Sequence, residues 1–262
     1  MGSATVQALV ASSSALTAAQ GITLDAAGEL FSATRLIGES TALSGALADS
    51  AAPAEARAAL VSRVFSGASA PVQDLLKTVV AQRWSSAADL VDGVEELAVR
   101  ATAIAAPDVD LEGELFSVSR LVADNAELEL ALGSRLGEGE GKAALVRKLV
   151  GARLDPATTL IVTSLVRQPR GRRVRRLLSR AMRIVSAQRD RIVATVRTTA
   201  PLSAPQRARL GAVLTGRYGR QVALNEVIDS SVVGGLRVQV ADDVIDGSIS
   251  ARLADLRQKL AG

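Results

Sequence analysis

The chain contains neither cysteine nor histidine among its 262 residues. Without cysteine it forms no disulfide, binds no zinc through thiolates and has no thiol nucleophile. Without histidine it lacks the most frequent general base and the most frequent metal ligand. The sequence also has no G-x-x-x-x-G-K-[ST] motif, which would hold a nucleotide phosphate. This inventory predicts a protein that is not an enzyme and that uses neither a metal nor a cofactor.

Aromatic residues are scarce as well, with one Trp, one Tyr and three Phe. Alanine, leucine and valine must therefore carry the packing, which is typical of chains whose helices approach closely. No apolar run approaches the roughly 20 residues that span a bilayer. The first residues lack the basic and then apolar pattern of a signal peptide. We expect a soluble, cytoplasmic chain of one to two domains with a real core.

The charges are distributed unevenly along the chain. Residues 1–141 hold 8 basic and 19 acidic residues, a net charge of −11, whereas residues 142–262 hold 23 basic and 8 acidic residues, a net charge of +15. Such polarity indicates a protein with two differently charged partner surfaces, or one that takes a fixed orientation in a larger assembly.

The N-terminal two thirds of the chain repeat. Residues 28–80 align without a gap to residues 113–165 at an offset of 85, and 18 of the 53 aligned positions are identical. Leucines recur at helical spacing in both copies, and Pro71 and Pro156 open the same long helix, where a missing N–H costs nothing. The identity exceeds the roughly one tenth expected by chance, so we infer a duplication.

The same offset places residues 4–18 on residues 89–103, which are also the last helical stretch of the first copy. We therefore predict that one helix, at about residues 87–104, ends the first copy and begins the second. No Gly/Ser/Pro linker lies between the copies, so we expect them to be rigidly joined.

The last forty residues alternate between strand and turn patterns. Strands are predicted over residues 222–228, 236–240 and 244–245, with a Gly-Gly pair where the chain reverses. Ser248 is placed to cap a final helix whose apolar residues share one face.

These motifs resemble the C-terminal domain of the δ subunit of F-type ATP synthases, the oligomycin-sensitivity-conferring protein family. A strand leading into an Ala-Pro-Leu-Ser turn at residues 200–203 resembles the family too, so the resemblance covers about residues 190–262. Ser230 departs from it, because the family usually has proline there, and this loosens one turn. The residues that match the family's structural motifs are Asp229, Gly234, Gly235, Asp246, Gly247 and Ser248.

The resemblance implies a mainly α fold, since the family's N-terminal domain is a bundle of six helices. Both copies resemble that bundle, whereas an ordinary member of the family has one. We therefore predict a first helical bundle over residues 1–104, a second over residues 87–190 and a small α+β domain over residues 191–262. A long chain of this kind is expected of the actinobacterial branch.

The resemblance also implies a function. The chain would be a non-catalytic subunit of the peripheral stalk, or stator, of a proton-translocating ATP synthase. It would bind N-terminal helices of α subunits through a bundle and the C-termini of b-type subunits through the α+β domain. It would lie at the cytoplasmic face of the cell membrane, peripheral and without a transmembrane segment, and would bind no nucleic acid.

In the family, the α-subunit helix lies in a groove between the first and fifth helices of the bundle. We take the second bundle as the main site, because it keeps the family's spacing to the C-terminal domain, and the first bundle as the alternative. The second groove is predicted from Val94, Leu97, Leu160, Val162 and Leu165. The first is predicted from Leu75, Leu76 and Val79.

A rival interpretation rests on eight arginines between residues 167 and 183. They could form a solvated helix face, a docking surface for an acidic partner or a nucleic-acid patch in a free-standing scaffold. No aromatic residues interleave with them to stack on bases, which disfavours the last. We expect the carboxylate pairs Glu95–Glu96 and Asp242–Asp243 to be solvated rather than catalytic. Trp84 is predicted to be a core residue or a contact with a partner helix.

Overall fold

The computed structural model describes residues 2–134, 138–230, 232, 234–240 and 243–247. Within them a long helical part precedes a small mixed sheet, which confirms a mainly α protein with an α+β C-terminal part. The helices are α1 (Ser3–Ala18), α2 (Leu24–Glu39), α3 (Thr41–Ala48), α4 (Ala54–Val64), α5 (Ala70–Ala81), α6 (Ala87–Ala105), α7 (Leu111–Ala123), α8 (Ala126–Gly133), α9 (Gly139–Val150), α10 (Pro156–Arg167), α11 (Val174–Gln188) and α12 (Ala204–Tyr218). The strands are β1 (Arg191–Thr198), β2 (Gln221–Ile228), β3 (Leu236–Val240) and β4 (Asp243–Asp246).

The helices repeat at the offset found in the sequence. Shifting α1 to α6 by 85 residues reproduces the bounds of α6 to α11 within two residues at each end. Helix α6 therefore has the sixth place in the first copy and the first place in the second. The division into domains 1–104, 87–190 and 191–262 stays a proposal. Packing divides the chain into two compact units, Met1–Val109 with Val122–Leu177 and Asp110–Leu121 with Leu178–Gly262.

Local chemistry fixes where many helices begin. Short polar side chains accept hydrogen bonds from N–H groups of the first turn, which have no partner within the helix. Before α12 this becomes a full capping box, in which Ser203 and Gln206 bond each other's backbone N–H. The other described caps of this kind are Thr23 for α2, Ser40 for α3, Ser86 for α6, Asp110 for α7 and Asp155 for α10.

The glycine-rich stretch at residues 137–141 differs from the loop that its composition suggests. Residue 137 lies outside the described residues, but Gly139 begins α9. A Cβ atom on Gly139 would lie 2.7 Å from the carbonyl oxygen of Arg167. Glycine here therefore lets the first turn of α9 approach the end of α10, and this contact matters more than the helix propensity that glycine costs.

Helix α6 is the centre of the helical part. It packs against α1, α2, α3 and α5 of the first copy and against α10 of the second. Eleven of its residues are buried, and they surround the helix rather than forming one stripe. Trp84 precedes α6 and is buried, with its ring over Gly93, where no side chain would fit. This confirms the interpretation of Trp84 as a core residue.

The C-terminal sheet has the strand order β2-β1-β3-β4. Strands β1 and β2 are parallel and are joined through α12, whereas β3 is antiparallel to both β1 and β4. One face of the sheet supplies alternate residues to a core that Leu214 of α12 completes. The core residues of the strands are Ala194, Val196, Val238 and Val240.

The described residues include neither a membrane-spanning helix nor a cluster of metal ligands. None of the described helices is both long enough and apolar enough to cross a bilayer. The described part of the chain also holds no group of three or more acidic side chains placed to bind a metal ion.

Candidate partner-binding surface

The residues predicted to line the second groove are mostly inside the protein. Val94, Leu97 and Val162 are fully buried, and Leu165 is 3% exposed. Leu160 is half-buried. The residues predicted for the first groove, Leu75, Leu76 and Val79, are also buried, at 4%, 1% and 0% exposure. In both copies these side chains form the floor between helices, and the surface that a partner would meet lies above them.

Helix α2 covers the floor of the second copy. A Cβ on Gly38 of α2 would lie 3.3 Å from Cγ1 of Val91 in α6, and one on Gly28 would lie 3.8 Å from Cδ1 of Leu160 in α10. The space left between α2, α6 and α10 is a cavity of about 50 Å³. That volume holds one or two water molecules and no helix. A helix of the first copy thus occupies the place between the first and fifth helices of the second.

The first copy has an open groove between its first and fifth helices. A groove of about 370 Å³ runs between the end of α1 and the start of α5. Its walls carry small side chains, which let another backbone approach closely. The lining residues are Ala15, Ala19, Gln20, Ala70, Pro71, Asp74, Leu75 and Thr78.

The outer face of α1 is exposed and carries two valines. Val6 is 49% exposed and Val10 is 63% exposed. At the repeat offset they correspond to Val91 and Glu95 of α6, which are 4% and 6% exposed. The same helical face is therefore covered by α2 in the second copy and uncovered in the first. The sequence reasoning missed Val6 and Val10, although aligning α1 with α6 residue by residue would have revealed them.

Glu95 contradicts the expectation that the carboxylate pair is solvated. Its carboxylate accepts hydrogen bonds from Arg170 at 2.7 Å and from Arg172 at 2.6 Å. Asp92, one turn earlier, lies 2.7 Å from Arg170. Both arginines come from the loop after α10, where Arg170 (φ 51°) and Gly171 (φ 73°) adopt left-handed conformations. The network therefore anchors this loop to α6, and the distance of some 75 residues along the chain hid it from sequence analysis.

The network also raises the pKa of Arg172 despite its burial. Burial alone lowers the pKa of its guanidinium, but the hydrogen bond to Glu95 and the charges of Glu95 and Asp92 outweigh this effect. The pKa of Arg172 therefore lies above its usual value. The guanidinium acts as a fixed cation in this loop.

The arginine cluster is only partly a solvated face. Besides Arg170 and Arg172, Arg167 pairs with Glu140 at 2.9 Å and Arg175 pairs with Glu129 at 2.9 Å. These pairs reduce the positive charge available to a phosphate backbone. Arg173 differs, because it is exposed and its guanidinium pairs with no residue that the structure describes.

Residues of the family motif form hydrogen bonds at the ends of strands β2 and β4. Asp229 donates its backbone N–H to Thr198 O at 2.8 Å and accepts a hydrogen bond from Arg197 at 3.2 Å. Asp246 of β4 lies opposite Arg237 of β3 in the strand register. The backbone N–H of Gly247 donates to the carbonyl oxygen of Leu236 at 2.9 Å.

Between β2 and β3, Gly234 (φ 62°) and Gly235 (φ 87°) have the positive φ expected where the chain reverses. Ser248 and the predicted final helix lie outside the described residues.

Comparison with known proteins gives a consistent result. Residues 101–260 match the family model of the ATP synthase delta (OSCP) subunit. The chain is 46% identical to the ATP synthase subunit delta of Leifsonia xyli over 100% of both chains. It is 43% identical to the ATP synthase subunit delta of Streptomyces avermitilis over 90% of this chain and 88% of that one. A chain in the mitochondrial ATP synthase hexamer of Toxoplasma gondii is 26% identical, with a TM-score of 0.36, over 64% of this chain and 97% of that chain.

Proposed function

Because the chain belongs to the ATP synthase delta (OSCP) subunit family, we propose that it is a non-catalytic adaptor of the peripheral stalk, which ties α subunits of the catalytic head to b-type subunits. It acts at the cytoplasmic face of the cell membrane, within the complex. The rotor drags on the head during synthesis, and the stator must resist that torque. A helix held in a groove provides such a grip without any bond chemistry.

The first copy holds the N-terminal helix of an α subunit, in the groove between α1 and α5. The observation that carries this choice is the contrast between the copies. In the second copy α2 covers α6 and α10, and about 50 Å³ is left free. In the first copy about 370 Å³ is open between α1 and α5, and Val6 and Val10 are exposed on another face of α1. In the second copy α2 lies on the position of α6 that corresponds to Val6 of α1. We take that packing as the model for how an incoming helix lies on α1.

Binding of an α-subunit N-terminal peptide to the full chain tests this choice by isothermal titration calorimetry. Val10→Asp and Ala15→Glu should each weaken binding about tenfold or more, which corresponds to 1.4 kcal/mol or more. Both positions are at least partly open, so the bundle should remain folded. The control Leu149→Asp on α9, far from α1 in sequence and 45% exposed, should bind as the unchanged chain does.

A third variant tests the second copy. Ser164→Glu places a charge in the cavity between α2 and α10. If it abolished peptide binding while Val10→Asp and Ala15→Glu bound normally, the second bundle would be the α-subunit site. Circular dichroism of each variant separates lost binding from lost folding.

The C-terminal α+β domain holds the end of a b-type subunit. Support comes from the family motif at the strand ends and from the left-handed Gly235, which a β-branched residue cannot adopt without strain. Gly235→Val should release the b-type subunit. The assembled enzyme should then lose proton-driven ATP synthesis, while the detached head still hydrolyses ATP. Loss of hydrolysis in the isolated head would instead place the chain in the catalytic machinery.

The salt dependence of binding distinguishes the stator proposal from the rival hypothesis, a scaffold that binds nucleic acid. Phosphate binding weakens steeply as the salt concentration rises. An adaptor should copurify with α, β and b-type subunits and leave duplex DNA unshifted in a gel at 50 mM salt. A DNA shift that disappears with rising salt, together with no copurifying synthase subunits, would contradict the proposal.

A further inference from the structure

A second open surface lies in the second copy, away from the groove between α1 and α5. It is a cleft of about 740 Å³ between the end of α7 and α8 on one side and the loop leading into α11 on the other. This volume is in the range of sites that bury a ligand or the side chains of a docked segment. The lining residues are Val122, Ala123, Ala126, Glu129, Leu130, Gly133, Ser134, Gly171, Arg172, Arg173 and Arg175.

One wall of the cleft is apolar and exposed. Leu130 of α8 is 73% exposed, although it is a large aliphatic side chain on a short helix. Its counterpart at the repeat offset is Gly45 of α3, and a Cβ there would meet open space. The duplicated scaffold therefore needs no side chain at this position for folding. The leucine is a feature of the second copy alone, and a partner that covered it would gain about 1.5–3 kcal/mol from its burial.

The opposite wall is positively charged. Arg172 and Arg175 are ion-paired with Glu95 and Glu129, whereas Arg173 is exposed with no ion pair among the described residues. Glu129 is the acidic residue among those that line the cleft, and it is already engaged. It accepts the backbone N–H of Val174 at 2.9 Å and pairs with Arg175 at 2.9 Å. The lining therefore carries a net charge of +2, with Arg173 available to a new anion.

The first copy has no arginines at the corresponding positions, which are Ala87, Ala88 and Leu90. Its corresponding helix start is capped locally by Ser86, which accepts from the N–H of Asp89 at 3.1 Å. In the second copy, Glu129 of α8 supplies that acceptor from another helix, and this contact brings the arginines beside Leu130. The apolar wall and the positively charged wall of the cleft therefore occur together in the second copy. In that copy α2 already fills the place between the first and fifth helices.

We propose that this cleft docks an amphipathic helix with an acidic face, contributed by a partner chain. The apolar side of that helix packs on Leu130 and Ala126, and its carboxylates face Arg173 and the neighbouring arginines. Charge complementarity selects an acidic partner over a basic one. The absence of aromatic residues from the lining disfavours a nucleic-acid base. The inference holds whichever copy binds the α subunit.

Photocrosslinking in the assembled complex identifies the occupant. A benzophenone amino acid is placed at Leu130 of the full chain, and in a matched protein at Leu149, which is 45% exposed on α9. The crosslinked segment is then read by mass spectrometry. A segment with net negative charge and apolar residues at helical spacing, trapped from position 130 and not from 149, supports the proposal. No crosslink at 130, a basic segment, or a segment of this same chain overturns it.

Binding of a synthetic peptide that spans the trapped segment then measures the contribution of each wall to the affinity. Leu130→Asp and Arg173→Glu should each reduce its affinity about tenfold or more in calorimetry, and the Arg173→Glu effect should shrink as salt rises. Leu149→Asp should bind as the unchanged chain does. Equal affinity for all variants would overturn the proposal. The α-subunit peptide should still bind both cleft variants, so failure here is distinguishable from failure of the stalk assignment.

Discussion

Helices α1 and α6 begin the two copies of the same repeat and pack in very different ways. The buried stripe of α1, Thr5, Ala8, Ser12 and Leu16, is matched at the offset of 85 by buried residues in α6. Beyond that stripe α1 is open, whereas α6 is buried on nearly every side. The difference has a simple cause. Helix α6 belongs to both copies, so two sets of neighbours cover it, and α1 has one set.

The comparison shows that duplication covers the outer face of one helix and leaves the equivalent face of the other exposed. A repeat whose first helix is shared buries its outer face against the preceding copy, as in stacked helical repeats, and the terminal repeat keeps that face exposed. In this chain the exposed face carries Val6 and Val10 where a solvated helix would carry polar residues. We therefore regard α1 as an unfilled position of the repeat that an external helix completes.

Aspartate substitutions at one repeat position should give the largest difference. Val91→Asp places a charge beneath Gly38 of α2 in the packed interior and should cost about 4 kcal/mol or more, or prevent folding. Val6→Asp, at the same position of α1, should change stability by less than about 0.5 kcal/mol. Urea unfolding monitored by circular dichroism measures both. Similar costs would show that α1 is covered in solution.

Neutralising Glu95 should give the next largest effect. Glu95→Gln leaves Arg170 and Arg172 without their main anion and should cost about 2–4 kcal/mol, because both guanidinium groups are mostly covered. Glu96→Gln should cost less, about 1–1.5 kcal/mol, since Glu96 is partly buried but anchors one arginine, Arg100, rather than two. Denaturant midpoints of the two variants provide the test. Equal losses would mean that the loop after α10 does not depend on α6.

The two copies also bury different cations at one position. Arg57 donates to the carbonyl oxygens of Val80 and Gln82 at the end of α5, and Lys142 donates to Ser134 O. Arg57→Met should cost about 2–3 kcal/mol, because it leaves two acceptors of a helix terminus without a donor. Lys142→Met removes one donor and should cost about 1–2 kcal/mol. Thermal unfolding ranks them, and a larger loss for Lys142→Met would contradict this account.

Local and periodic signals made most of the fold predictable. The offset of 85, the strand at residues 236–240 and the prolines at the start of α5 and α10 all follow from residues close together in sequence. The misjudged features depend on contacts across long separations. Sequence alone predicts a solvated Glu95, because the loop after α10 that contacts it is distant along the chain. Sequence alone also predicts a loop at Gly139, because the contact with α10 that requires glycine there is not visible in the local residues. The groove residues were recognisable as apolar, but only packing shows that α2 already covers one groove.

The smallest expected effect comes from giving the first copy the leucine of the second. Gly45→Leu replaces a glycine inside α3, where a Cβ meets no atom within 4 Å. Leucine has a higher helix propensity than glycine, so the variant should be more stable by about 0.5–1 kcal/mol. The new leucine should not create a second docking cleft, because the proposed binding at Leu130 also needs the arginines of the opposite wall, and the first copy has none at the corresponding positions. Urea midpoints should therefore rise slightly, and the acidic peptide trapped at Leu130 should bind no tighter. Tighter binding would mean that the leucine alone makes the site and that the arginine wall contributes little.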